Sequence, residues 1–145
     1  MTPVTAAPSM AEADVELLRR AEELLGRVFL AGRHEVATAL RTTDGSVHLG
    51  VHVEGSCRRS SICAEGVALG AARAAGVALG EVAGVVSVQI KPADRFRIIA
   101  PCGVCRELIS DYSPAATVWL TVPDTDEVIA VPALDLLPSK SRRLW

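Results

Sequence analysis

At 145 residues, half of them apolar and 22% charged, the chain is long enough to close one core of ordinary size and has the composition of a globular domain. A net charge of −2, with only two Trp, one Tyr and two Phe, argues against nucleic acid as a partner, because neither a basic footprint nor a stacking surface is present. No apolar run approaches 18 residues without a charge, and residues 1–9 lack a basic region followed by an apolar block, so no membrane span or secretory leader is expected and the chain reads as cytoplasmic.

The elements follow in order along one expected domain, 1–145. Residues 1–8 are rich in Pro, Thr and Ala and are expected to fray or be disordered. Ser9 and Glu12 have capping-box spacing and open a helix whose apolar face is Val15, Leu17, Leu18, Ala21, Leu24 and Leu25, with Gly26 as its end unless the apolar run to Leu30 extends it. His34 to Arg41 and Val47 to Val53 read as a hairpin turning at Thr43-Asp44-Gly45-Ser46, followed by a loop from Glu54 to Ile62. Cys63 to Ala75 is a helix of small residues, with Gly76 its left-handed stop. Val82 to Ile90, apolar almost throughout, and Phe96 to Ala100 are two strands joined by the polar stretch 91–95. A helix from Cys102 to Asp111, a strand from Thr117 to Val122, an acidic solvated turn from Asp124 to Glu127 and a short helix from Ala133 to Leu137 complete the chain. The order α-ββ-α-ββ-α-β-α predicts an α/β domain layered on one five-stranded mixed sheet.

The chemistry gathers at two helix starts, Cys63-Ala64-Glu65 and Pro101-Cys102-Gly103-Val104-Cys105, with Cys63 and Cys102 39 positions apart. A thiol at a helix N-terminus lies near unpaired N–H groups and the positive end of the dipole, which favour the thiolate. Cys102 and Cys105 can face the same side of a first turn, as half of a tetrahedral zinc site does. A second Cys-x-x-Cys is missing, and Cys63 is the well-placed third ligand. Three protein ligands that leave a place for water are a catalytic arrangement, whereas a structural zinc would normally take four. Glu65, two residues beyond Cys63, is positioned to take a proton from a metal-activated water and return it to a leaving group, as general base and then general acid. One Zn²⁺ per chain is the expected cofactor. A disulfide framework is the weaker reading of the cysteines in a reducing compartment, and Cys57 reads as a plain loop thiol.

Cys-x-Glu followed by Pro-Cys-x-x-Cys is the signature of zinc deaminases. From Val36 to Pro138, with Gly50-Val51-His52-Val53-Glu54 and Leu136-Leu137-Pro138 included, the chain resembles the small three-cysteine cytidine deaminases and the related blasticidin S deaminases. The resemblance implies a three-layer α-β-α sandwich. It also implies hydrolytic removal of the amine from a cytosine-type ring, and a homotetramer whose active sites share residues. Residue by residue, it implies Cys63, Cys102 and Cys105 as zinc ligands and Glu65 as proton shuttle. Ala64 would contact the base through its backbone, the Ala100 carbonyl would receive the leaving amine, and Glu54 would bind the sugar.

Several positions depart from that pattern. His52 stands where the family has Asn, and His34 where it has Phe. Gly66 replaces an Arg that offsets the charge of three thiolates, leaving Arg106, Arg58 or Arg59 as candidates for compensation. The C-terminal aromatic is replaced by Ser139-Lys140-Ser141, with Trp145 a possible substitute. The resulting expectation is deamination of cytidine or deoxycytidine as part of pyrimidine salvage. The alternatives are an aminoacyl-cytosine antibiotic such as blasticidin S, another amino-substituted ring, or a non-catalytic zinc-stabilised binding module.

Overall fold

The computed structural model describes residues 1–90 and 94–143, and the side chain of Arg58 is outside the description. Part of the polar stretch 91–95, at 91–93, and the proposed substitute aromatic Trp145 therefore lie outside the described residues.

Among the described residues there are nine elements and two short 3-10 turns: α1 (Glu12–Val28), β1 (Val36–Thr42), β2 (Val47–Val51), α2 (Ala64–Ala74), β3 (Val82–Ile90), β4 (Phe96–Ile98), α3 (Gly103–Tyr112), β5 (Thr117–Thr121) and β6 (Val128–Pro132), with 3-10 turns at Arg58–Ser60 and Ala133–Leu136. The strands form one mixed sheet in the order β2-β1-β3-β5-β6, with β4 added beside β3. β1 runs antiparallel along one edge of β3 from Val36↔Gln89 to Thr42↔Val82. The other edge of β3 is therefore shared: β5 pairs in parallel at Gly84, Val85 and Val86, and β4 pairs antiparallel at Val88, Gln89 and Ile90. The change of partner falls at Ser87, whose carbonyl accepts a hydrogen bond from Ile99 N–H at 3.0 Å. Such switch points are where open α/β sheets leave a crevice for ligands.

Alternation along the strands builds the three layers. Ala37, Ala39, Val86 and Val88 face α1, where Leu17, Leu18, Ala21 and Leu25 meet them. Leu40, Val85 and Val118 face the opposite way, against Ala68, Leu69 and Ala72 of α2 and Cys105 and Ile109 of α3. β3, central and covered on both faces, is buried at seven of its nine positions, as its apolar run predicts.

The structure differs from expectation in several places. The expected mixed sheet is present, and among the described residues it gains a sixth strand, β6. β6 is a short, half-exposed edge strand that ends in Pro132, a residue whose missing N–H is tolerated on an edge. The capping box does not form: α1 is capped at Ala11 without a side-chain bond, and the helix passes through Gly26 to Val28. Burying Leu25 and packing Phe29 and Val15 on the same cluster outweigh the cost of one helical glycine. Residues 2–7, expected to fray, lie along the sheet: Phe96 N–H donates to Thr2 O at 3.0 Å, Val4 N–H donates to Glu22 Oε1 at 2.7 Å, and Val4, Ala6 and Ala7 pack on the core. Asp111, expected as the end of the helix from Cys102, is paired with Lys140 Nζ at 2.8 Å. The Lys140 side chain, 2% exposed, also reaches Glu107 Oε2 at 3.0 Å and so fastens the C-terminal segment to α3.

Candidate active site

Both cysteine motifs enter helices at the same end of the sheet. Cys63 is the N-cap residue of α2 and Cys102 that of α3, each with extended backbone, while Cys105 sits in the first turn of α3. The three sulfurs lie within 4.8 Å of one another, with Cys63 Sγ and Cys102 Sγ 3.6 Å apart. Zinc–sulfur bonds of about 2.3 Å at tetrahedral angles place sulfurs about 3.8 Å apart, so the donor set fits that ion in type and spacing. Cys57 is exposed and is not a member of this group.

The electrostatics of the cluster point the same way. Burial pushes the Cys105 thiol far up, and the Glu65 carboxylate and the other sulfurs add to the rise. Burial also raises Cys63, helped by its contact with Cys102. Cys102 alone is lowered: burial opposes its ionisation, but the backbone N–H groups of Cys105 and Val104 and the neighbouring thiols donate to its sulfur. Three thiols in one partly desolvated volume cannot all ionise unaided, and a divalent cation removes that conflict.

Glu65, in the first turn of α2, is 5% exposed. Its Oε2 lies 3.5 Å from Cys105 Sγ, on the side of the sulfur cluster. Its Oε1 accepts a hydrogen bond from Ser87 Oγ at 3.0 Å, and Ser87 Oγ is 2.7 Å from Thr38 Oγ1. Sequence reading missed Ser87 and Thr38. The available signal was a hydroxyl set inside the apolar stretch of each strand, Thr38 between Ala37 and Ala39 and Ser87 between Val86 and Val88.

A cavity of about 170 Å³ opens on the cluster, lined by Val36, His52, Cys63, Ala64, Glu65, Ile99, Ala100 and Cys102. Of the expected substrate contacts, His52, Ala64 and Ala100 line it, whereas Glu54 is not among the lining residues and pairs with His52. His52 Nε2 is 3.0 Å from Glu54 Oε2, and the other Glu54 oxygen accepts from Ser61 Oγ. His34 supports the same turn through Nδ1, 2.8 Å from His52 O. Arg106 donates from Nε to Pro101 O at 2.8 Å and from Nη1 to Leu136 O at 3.2 Å, so its cation lies against the backbone that carries Cys102. Arg59 is exposed.

The helix-flanked sheet thus brings together three thiols that could hold a metal ion and a buried carboxylate beside them. No family model matches the chain. The blasticidin-S deaminase of Bacillus cereus is 31% identical to it over 139 residues, covering 93% of this chain and 96% of that protein. A cytidine deaminase of Halalkalibacterium halodurans is 35% identical over 85 residues, covering 59% and 60% of the two chains. Among solved structures, the cytidine deaminase of Burkholderia pseudomallei matches with a TM-score of 0.73 and 33% identity over 90% of this chain and 98% of its own. That of Mycobacterium leprae, at 22% identity and a TM-score of 0.69 over 90% of this chain and 100% of its own, shares the fold. The chain belongs to the cytidine deaminase and blasticidin-S deaminase family, and is an enzyme of the deaminase class.

Proposed function

We propose that the protein removes the exocyclic amine of a cytosine ring in a small free nucleoside, consuming water and releasing ammonia, with one Zn²⁺ per chain held by Cys63, Cys102 and Cys105. The observation that carries this is the buried Glu65 carboxylate, anchored at Oε1 and 3.5 Å from Cys105 Sγ at Oε2, on the wall of the cavity. Bound at the three sulfurs, zinc supplies a water whose pKa is lowered towards ~7. Glu65 would take one proton from the attacking water at Oε2 and pass it to N3 as the C4–O bond forms, then take the remaining proton of that oxygen and pass it to the amine as the C4–N bond breaks, so that ammonia leaves and the oxygen stays as the C4 carbonyl. The Ala64 backbone holds the base edge and the Ala100 carbonyl receives the amine. Val36 and Ile99 give the ring apolar contact and exclude bulk water, which strengthens the electrostatic interactions inside.

Cytidine or deoxycytidine, a salvage substrate, is the first reading. Blasticidin S or a similar aminoacyl nucleoside is the second, and two observations favour it. The relative that aligns along 93% of the chain carries that name. Glu54, the expected sugar ligand, has both carboxylate oxygens engaged by His52 and Ser61, so the cavity meets the sugar side with an imidazole. Ammonia release by zinc-loaded protein on cytidine, deoxycytidine, cytosine and blasticidin S tests the proposal. Turnover of either nucleoside class supports the reaction and chooses the substrate. Absence of turnover across the panel at one zinc per chain overturns both readings.

Metal removal has its own expected outcome. If zinc is present at a thousandfold excess over its dissociation constant, its loss costs about 4 kcal/mol, or about 13 °C in Tm for a chain of this size. Chelator should produce that drop and added Zn²⁺ should reverse it, while Cys105→Ser should hold much less than one zinc per chain and show no chelator effect. An equal Tm with and without chelator would rule out a tightly bound zinc.

The same proposal includes a homotetramer in a cytoplasm that keeps the thiols reduced. Val53, Ile62 and Val104, each next in sequence to a site residue, are 41%, 49% and 75% exposed, which suits coverage by neighbouring copies. No described helix is long and apolar enough to cross a membrane.

A further inference from the structure

Two hydroxyls sit where the core has no need of them. Thr38 and Ser87 are register partners on β1 and β3, on the sheet face that meets α2. They are 0% and 3% exposed, in strands whose other buried side chains are almost all apolar. A buried hydroxyl costs stability unless it is hydrogen-bonded, and Val or Ala would fill either position without that cost. Their partners form a single chain: Ser87 Oγ donates to Glu65 Oε1 at 3.0 Å, and Thr38 Oγ1 is 2.7 Å from Ser87 Oγ. A serine hydroxyl has one proton, and here it is committed to the carboxylate, so Thr38 must be the donor to Ser87. Donation from Thr38 polarises the Ser87 O–H and strengthens its bond to the carboxylate.

We propose that Ser87, backed by Thr38, is a positioning residue that anchors Glu65 Oε1 to the sheet, leaving Oε2 as the oxygen that moves protons beside the sulfur cluster. The inference rests on the proposed proton-shuttle role of Glu65. Ser87 is suited to the task because it lies where β3 changes partner from β5 to β4, on the central strand of the sheet. A carboxylate on the first turn of a helix has two freely exchanging oxygens and a soft terminal torsion. The hydroxyl chain removes that freedom and holds a near-attack geometry for the proton, and misplacement of about 1 Å at a reacting group can cost on the order of 10²-fold in rate.

The test is a kinetic series on zinc-loaded protein with a substrate that the wild type accepts. Ser87→Ala is expected to lower kcat by about 10- to 100-fold with KM within about twofold. Thr38→Val should cause a smaller loss of the same kind, and Ser87→Thr, which keeps the hydroxyl, should recover most of the rate. Adding Ser87→Ala to Glu65→Gln should cost nothing further, because the two residues act as one unit. A merely structural role would lower Tm but leave kcat per folded, zinc-bound chain unchanged, and that result overturns the proposal. Neutron diffraction of the zinc-loaded protein decides the point without turnover. The Ser87 deuteron should lie towards Glu65 Oε1 and the Thr38 deuteron towards Ser87 Oγ; either pointing elsewhere also overturns it. A wild type that deaminates nothing would defeat the functional reading while leaving this diffraction arm decisive.

Discussion

Glu65→Gln should lower kcat by about 10³-fold or more while leaving zinc content and Tm near those of the wild type. The substitution keeps the shape of the side chain. Its amide oxygen can still accept the proton of Ser87, and its NH₂ can lie towards Cys105, so a residue 5% exposed is replaced without an orphaned partner. What disappears is the ability to hold a proton between its removal from water and its delivery to the ring and the amine. General acid–base catalysis is typically worth 10²–10⁴-fold, and in the proposed mechanism one group serves several transfers, so the upper part of that range applies. Ammonia release, metal analysis and thermal melting on the same preparation separate lost chemistry from lost folding. Retention of more than about a tenth of the wild-type rate would remove Glu65 from its assigned role.

Gly50→Ala should be strongly destabilising, although it adds a single methyl. A Cβ at Gly50 would stand 2.3 Å from Ala68 N, 2.5 Å from Ala64 O and 2.9 Å from Ala68 Cα. All three are backbone atoms of α2, so no side-chain rotation can make room, and β2 and α2 must separate. Overpacking commonly costs 1–3 kcal/mol, and a clash confined to backbone belongs at or beyond the top of that range. About 3 kcal/mol corresponds to a fall in Tm of about 10 °C for a chain of this size. The displaced element carries Ala64 and Glu65 and is capped by Cys63, so zinc affinity and kcat should fall with stability. Gly70→Ala is the control. A Cβ there meets nothing within 4 Å, and alanine is the better helix former, so stability should stay level or rise. Equal melting of the two variants would mean that β2 and α2 are not in backbone contact in solution.

The small-residue composition of α2 was the sequence sign of this close packing, although it did not identify Gly50 as the point of contact. Helix α1 shows the limit of local signals. Ser9 and Glu12 have the spacing of a capping box, yet the helix starts at Glu12 after Ala11, because Met10, Leu17, Leu18 and Leu25 set its position by what they bury. β6 was not foreseen because a half-exposed edge strand of five residues lacks both clean alternation and a long apolar run, and acquires its identity from pairing with β5.

The amino-acid sequence by itself singled out the candidate reacting groups and the deaminase class. Cys-x-Glu and Pro-Cys-x-x-Cys are local patterns, each at a helix start, and the dipole and unpaired N–H groups that suit them to bind a metal come with the helix that follows. It also determined the layered α/β architecture, because the periods of apolar residues belong to individual elements. The tertiary structure alone decided which oxygen of Glu65 is anchored and by what. Thr38, Glu65 and Ser87 are separated by 27 and 22 positions and meet through strand register and the seating of α2. It likewise turned Glu54 towards His52 and Ser61, and brought Lys140 to Asp111. Such pairings depend on the relative placement of several elements at once, set by shared burial, and no spacing along the chain encodes them.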